Sequence, residues 1–316
     1  MFKRSSWLAG CIILLGILLA GFGYISGGKW FIFKDDTGFH VPAKTTLEKN
    51  VYETENFSNI QVISHNSDVQ IKTGDHFALE THTVNKDDVS FHVKDNTLTV
   101  TTPEAKKNTF EFGIGNFHSS SITIYVPKDT KLHTVDIATS FGDTTLQHIL
   151  YQQLLLDSGS GDITLQQTDG ETTTIEQGFG DITARNITGK TLQIENQNGD
   201  ITIGGTIIDS ATITSSFGDI TLHLQTSRQL TVHSNNGDIA IDGLLNGLTA
   251  ITSSFGDINL QLQNKQSALG FDLQTQFGDI TVNQKSYSNQ ASQVVTSDQK
   301  LTISSDNGDI ELSFVK

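Results

Sequence analysis

From Leu132 onward, apolar and polar positions follow a pattern that returns every 19 residues. A Gly-Asp pair marks each return, with its glycine at Gly142, Gly161, Gly180, Gly199, Gly218, Gly237 and Gly256. Looser copies follow at Gly278 and Gly308, after spacings of 22 and 30. Two positions after the glycine stands isoleucine in eight of the nine copies, Thr144 being the exception, and four positions after it an apolar residue every time. Five positions before it sit Ile137, Leu156, Ile175, Ile194, Ile213, Val232, Ile251, Leu273 and Ile303; three before it, only Ser, Thr, Asn or Gln. Alternation of period two predicts β-strands, and Gly-Asp predicts the bend between them. The glycine suits a positive φ, and the aspartate can accept hydrogen bonds from nearby backbone N–H groups.

A fixed period of this length predicts an all-β chain folded as a β-solenoid, each repeat burying its apolar column against its neighbours. Nine rungs stacked at ~4.8 Å would make a rod roughly 40 Å long. Antiparallel hairpins are the rival, because Asn-Gly is also a hairpin turn signal. Phenylalanine before the glycine fits such a turn poorly, which favours the solenoid. A second period lies beneath the first: the residue before glycine alternates Phe141, Ser160, Phe179, Asn198, Phe217, Asn236, Phe255. Either rungs of 19 residues alternate in kind, or one rung is 38 residues long; the strict spacing leans to 19. The phenylalanine column could form an exposed adhesive ridge, but it shares the parity of the inward residues, which favours a core or corner position.

The chain begins differently. Lys3 and Arg4 precede an uncharged run whose apolar part, Trp7 to Ile25, would span roughly 28 Å as a helix, about one hydrocarbon core. The expectation is a single transmembrane anchor with its N-terminus in the cytoplasm and the body outside, with Trp7, Tyr24 and Trp30 at the interfaces. Leu8-Ala9-Gly10-Cys11 spells a lipobox but precedes most of the apolar segment, and no convincing signal-peptidase site follows that segment. The expected organisation is an anchor over 1–28, a linker over 29–50, worn β-repeats over 51–131 and the regular array over 132–316.

Asn66-Ser-Asp-Val-Gln-Ile71, Asp95-Asn-Thr-Leu-Thr-Val100, Ile122-Thr-Ile-Tyr-Val-Pro127 and the Gly-Asp-Ile repeats together resemble the bacterial putative-adhesin domain family, which includes LiaG-like proteins of cell-envelope stress operons. The likeness covers roughly residues 50 to 316. It implies a β-repeat fold and an adhesive or envelope-sensing role, and it brings no catalytic residues with it.

Charge narrows the partners. The chain carries 20 Lys and Arg against 35 Asp and Glu, and residues 132–316 alone hold 21 acids against 7 bases. Such a surface repels phosphates, so nucleic acid is not an expected partner, and membrane contact is expected only through the N-terminal helix. The single cysteine, Cys11, leaves the body without disulfides. Asp143, Asp162, Asp181, Asp200, Asp219, Asp238 and Asp257, with Asp279 and Asp309, are the candidate site: stacked carboxylates could cap turns or, alternatively, hold Ca²⁺ along one edge. The ten histidines are scattered, and no nucleophile motif or phosphate loop occurs. The sequence therefore predicts a non-enzymatic, cofactor-free surface protein that binds a protein or glycan of the cell envelope. The alternatives are a polysaccharide-active β-helix enzyme and a calcium-binding solenoid.

Overall fold

The computed structural model describes residues 3–25, 31–35, 38–40, 47–84, 86–104, 110–113 and 120–315. The chain forms two compact units, Met1–Thr46 with Glu104–His118, and Leu47–Pro103 with Ser119–Lys316. In the first unit the apolar run is a helix, Lys3–Ile25. Side-chain exposure is described for residues 12–23 of it, and Ile12, Ile13, Leu14, Leu15, Ile17, Leu18, Leu19 and Phe22 are all more than half exposed. Among the described residues, no helix is long and apolar enough to cross a membrane; the span expected from Trp7 to Ile25 reaches past those whose surroundings are described, and Trp30 lies outside them. The same unit holds Phe31–Asp35, paired antiparallel with Gly38–His40 and with Phe110–Gly113.

The second unit is a parallel β-coil. Ile163 pairs with Ile182, Ile182 with Ile201, Ile201 with Ile220, Ile220 with Ile239 and Ile239 with Ile258. One rung is thus 19 residues, and Phe217 and Phe255 lie two rungs apart with Asn236 between them. Burial along one rung explains its shape. Ile163 and Leu165 point inward, then Thr168 and Gly170, then Thr173, Ile175 and Gln177. Adjacent outward positions at Gln166-Gln167 and Glu171-Thr172, and the Phe179-Gly180-Asp181 bend, interrupt the alternation, giving three faces and three corners. One corner is turned by His148, Gln167, Asn186 and Gly205 in successive rungs, with φ of 57°, 52°, 53° and 65°. Only Asn and Gly adopt that conformation readily, so the histidine and glutamine corners are held by their rungs. Buried isoleucines, leucines and valines form columns through the rungs. A lone rung would leave its column in water, so stability resides in the stacking.

Stacking order departs from chain order at both ends. Asn59–Ser64 and Ser67–Gly74 form a layer that pairs on one side with Lys131–Thr139 and Thr144–Gln147. On the other side it pairs with Thr97–Thr101 and Ser120–Pro127. At the C-terminal end, Lys300–Asn307 and Ile310–Phe314 insert between the coil of Ile239–Leu262 and that of Gly270–Val282. The outermost layers are then covered by antiparallel strands. These are Ser90–Lys94 and Ala78–Thr83 at one end and Lys285–Tyr287 and Gln290–Gln293 at the other. Such caps occupy the backbone groups of an open edge that would otherwise pair with another chain.

Candidate interaction surface

The Gly-Asp corner is fixed by backbone geometry. Eight of its nine glycines have φ between 121° and 143°. A Cβ on Gly161, Gly199, Gly218, Gly237 or Gly256 would lie 2.0–2.2 Å from the carbonyl oxygen of the glycine one rung below. Each aspartate then ties its rung to the next. The Asp162 amide donates to Asp143 Oδ1 at 2.8 Å, Asp181 to Asp162 at 3.0 Å, and Asp200 to Asp181 and Asp219 to Asp200, both at 2.9 Å. Asp238 donates to Asp219 and Asp257 to Asp238, each at 2.8 Å. The ladder continues out of chain order, from Asp257 to Asp309 to Asp279, again at 2.8 Å. It starts at Asp68, which accepts from the Asp143 amide at 3.0 Å. Asp68 follows serine rather than glycine, so the Gly-Asp pattern did not reveal it. The polar residues three before the glycine point inward, and some of them serve the same corner: Asn196 Nδ2 donates to the Gly180 and Gly199 carbonyls at 3.2 and 3.0 Å, and Thr275 Oγ1 to the Gly308 carbonyl at 3.0 Å.

This geometry makes a capping role directly testable. Asp219→Ala removes the acceptor for the Asp238 amide and should cost about 1 kcal/mol in urea unfolding. Asp219→Asn keeps an oxygen there and relieves repulsion from Asp200 and Asp238, so its cost should be smaller. Among the described residues no group of three acidic, histidine or cysteine side chains could hold a metal ion. The melting temperature of both variants and of the parent chain is therefore expected to be the same in calcium and in chelator.

The phenylalanines are a corner feature and not a core one. Phe141, Phe179, Phe217, Phe255 and Phe277 are 65%, 58%, 57%, 55% and 71% exposed. Each is the last residue before the positive-φ glycine or its equivalent, where the chain leaves the sheet and parity no longer assigns a face. Pairing gives their order in space: Ser160 beside Phe179, Phe179 beside Asn198, Asn198 beside Phe217, Phe217 beside Asn236, Asn236 beside Phe255. Phe255 then neighbours Asn307, and Asn307 neighbours Phe277. In sequence the alternation breaks after Phe255; in space the inserted C-terminal layer restores it. The intervening asparagines are pinned, with Nδ2 of Asn198, Asn236 and Asn307 donating to the carbonyls of Gly178, Ser216 and Ser254 at 3.3, 3.4 and 3.4 Å. The result is a ridge of aromatic side chains on alternate layers, flanked by the aspartate ladder.

Elsewhere, polar side chains gather around Glu80. Lys49 Nζ lies 2.8 Å from Glu80 Oε1, His82 Nε2 3.0 Å from the same atom, and the Tyr125 hydroxyl donates to Oε2 at 3.0 Å. Burial pushes the Glu80 carboxyl up, but these hydrogen bonds outweigh it and hold it below the usual glutamate value. A carboxylate so held is a poor general acid and a good clamp between cap strands. Its stabilisation should be complete above the unfolded-state pKa of about 4.3 and lost as pH falls through the lower folded-state value. Urea midpoints of the parent and Glu80→Gln chains should accordingly converge on acidification below about pH 4. Tyr151 is buried, its phenol pushed up by burial and bonded to Thr173 Oγ1 at 2.7 Å. Its ring fills the space where a Cβ on Gly170 would stand. Two exposed histidines form inter-rung pairs, His223 with Asp242 and His233 with Thr252.

A parallel coil of 19-residue rungs, capped at both ends and marked by a Gly-Asp corner, defines a class of β-repeat domains. The Toastrack DUF4097 family model matches residues 57–313, and the chain belongs to that family. Several solved structures are similar to the chain at low identity. A putative lipid binding protein from Parabacteroides distasonis ATCC 8503 is 15% identical with a TM-score of 0.50, over 86% of this chain and 97% of that one. A putative adhesin from Parabacteroides merdae ATCC 43184 is 12% identical, with a TM-score of 0.49 over 88% of this chain and 99% of that one. Another putative adhesin, from Bacteroides fragilis NCTC 9343, is 16% identical, with a TM-score of 0.46 over 86% and 99%. Among curated proteins none matches the chain.

Proposed function

We propose that this chain is a membrane-anchored, extracytoplasmic interaction protein of adhesin type, without catalytic activity, that presents its corner ridge to components of the cell envelope or surface. The observation carrying this reading is the ridge itself: five exposed phenylalanines repeated on one corner, where the core has no need of them. Repetition of one environment suits multivalent binding. Carboxylate catalysis instead needs two groups in unlike surroundings, whereas the aspartate ladder gives each carboxylate the same partner. The names of its structural relatives, adhesin and lipid binding protein, agree with a surface role. The anchor rests on the apolar helix, whose large side chains from Ile12 to Phe22 are exposed, and on Lys3 and Arg4 before it. In wall-stripped cells producing the full chain, external protease should degrade the body, and deletion of residues 1–28 should release it from the membrane fraction. A body protected from external protease would overturn the assignment.

A further inference from the structure

We infer that the phenylalanine ridge binds a neutral, extended β-1,4-linked polysaccharide, each ring stacking on every second sugar. The inference rests on the proposed external location of the body only for access to such a polymer.

Three features of the ridge lead to this ligand. The first is its period. Phe141, Phe179, Phe217, Phe255 and Phe277 occupy alternate layers, so neighbours stand two strand spacings apart, about 9.6 Å. In an extended β-1,4-linked chain each pyranose is turned over relative to the last. The same ring face therefore returns once per disaccharide, a length close to that spacing. Five rings over eight layer steps make a track roughly 38 Å long.

The second feature is the pairing of apolar and polar groups. Pyranose rings present C–H faces that pack on aromatic rings, and hydroxyl edges that donate hydrogen bonds. Two residues beyond each phenylalanine stands an exposed ladder aspartate; Oδ1 of Asp143, Asp181, Asp219 and Asp257 accepts an amide of the next layer, and a carboxylate so engaged keeps a second oxygen as an acceptor. The bonded asparagines between the rings keep the intervals open and fixed, so little ordering accompanies binding.

Charge is the third. The ridge runs beside a column of carboxylates in a chain of net charge −15. Phosphate-rich or uronate polymers and anionic lipid would be repelled. A second copy of the chain docking ridge to ridge would bring two carboxylate columns together, which disfavours self-association there. A neutral polyhydroxylated polymer satisfies both the rings and the acceptors.

The test uses the full chain in detergent, incubated with insoluble chitin or cellulose, with amylose as an α-linked control and polygalacturonate as an anionic one. Retention is expected on at least one β-1,4-linked polymer and on neither control, with release by the matching soluble oligosaccharide. Phe179→Ser/Phe217→Ser/Phe255→Ser places at each site the residue found naturally at Ser160, and should lower retention about tenfold or more without shifting thermal unfolding. A second variant, Phe217→Asn/Asn236→Phe, preserves the number of exposed rings but breaks their period, and should lose binding to a similar degree. No retention on either polymer, equal retention by the out-of-period variant, or release by zwitterionic vesicles instead of oligosaccharide would each overturn the inference. The protease experiment is independent: a body accessible outside the cell that ignores these glycans refutes the ligand and leaves the surface assignment standing.

Discussion

Replacing Gly218 by alanine should destabilise the coil by about 3 kcal/mol or more, while the same change at Gly204 should be almost silent. At Gly218 φ is 125°, and the added Cβ would lie 2.2 Å from the Gly199 carbonyl oxygen. Holding an L-residue in that backbone region costs of order 1–3 kcal/mol, and forcing a methyl into a filled site costs about 1–3 kcal/mol more. Neither penalty can be relieved cheaply, because the obstructing atom is backbone that itself belongs to the adjoining corner. At Gly204 the nearest atom to a Cβ is His223 Cδ2 at 3.8 Å, an ordinary contact, and φ lies outside the left-handed range. Alanine there restricts the unfolded chain and should be neutral or stabilising by up to about 1 kcal/mol. Urea denaturation of both variants measures the difference. Similar losses at the two positions would mean that corner packing is looser than the carbonyl contact implies.

That contrast also explains what the sequence made legible. A glycine enforced by both φ, as at eight of the nine corners, and a backbone neighbour resists replacement, so the corners stood out, and with them the 19-residue rung. The same logic fails where several residue types serve. The corner turned by His148, Gln167, Asn186 and Gly205 varies from rung to rung and left no signature. The polar residue three before the glycine was legible as a pattern but not as a buried position: Asn196 and Ser234 are buried and donate to the Gly199 and Gly237 carbonyls, contacts that no side-chain pattern encodes. For Phe179 and its equivalents the parity argument misled in the opposite direction, because it extends a strand one residue past the point where the chain turns. Of the candidate site, the aspartate column was readable and its partner was not: the accepted proton comes from the next aspartate's own amide. The order of the last two layers was foreshadowed only by the spacings of 22 and 30 and by the broken sequence Phe255, Phe277, Asn307, which becomes regular once the final copy sits in the middle.

Ending the chain after Asp298 should therefore do more than shorten the stack; it should release the segment Gly270–Gln293 from the fold. The deleted strands supply an interior layer. Leu301, Ile303, Ile310 and Leu312 are buried within it, and at roughly 1.5–3 kcal/mol for each buried side chain their loss rivals the net stability of an ordinary domain, about 5–15 kcal/mol. The layer also receives the Gly256 and Ile258 amides on the Asn307 and Asp309 carbonyls at 3.1 and 2.9 Å, and gives its Gly308 and Ile310 amides to Phe277 and Asp279 at 3.0 and 2.9 Å. Without it, Gly270–Val282 could regain a partner only by moving one layer inward. The connection from Leu262 resists that move, since Asn264 accepts from the Leu245 amide at 3.0 Å and donates to its carbonyl at 2.7 Å. Rungs between Leu150 and Phe217 keep their own neighbours and should remain folded, as expected for a nearest-neighbour array. Hydrogen exchange followed by mass spectrometry separates the outcomes. The truncated chain should exchange residues 270–293 at unfolded rates while 150–217 stays protected. Continued protection of 270–293 would show that the outer coil restacks on Ile239–Leu262 and that the inserted layer is dispensable.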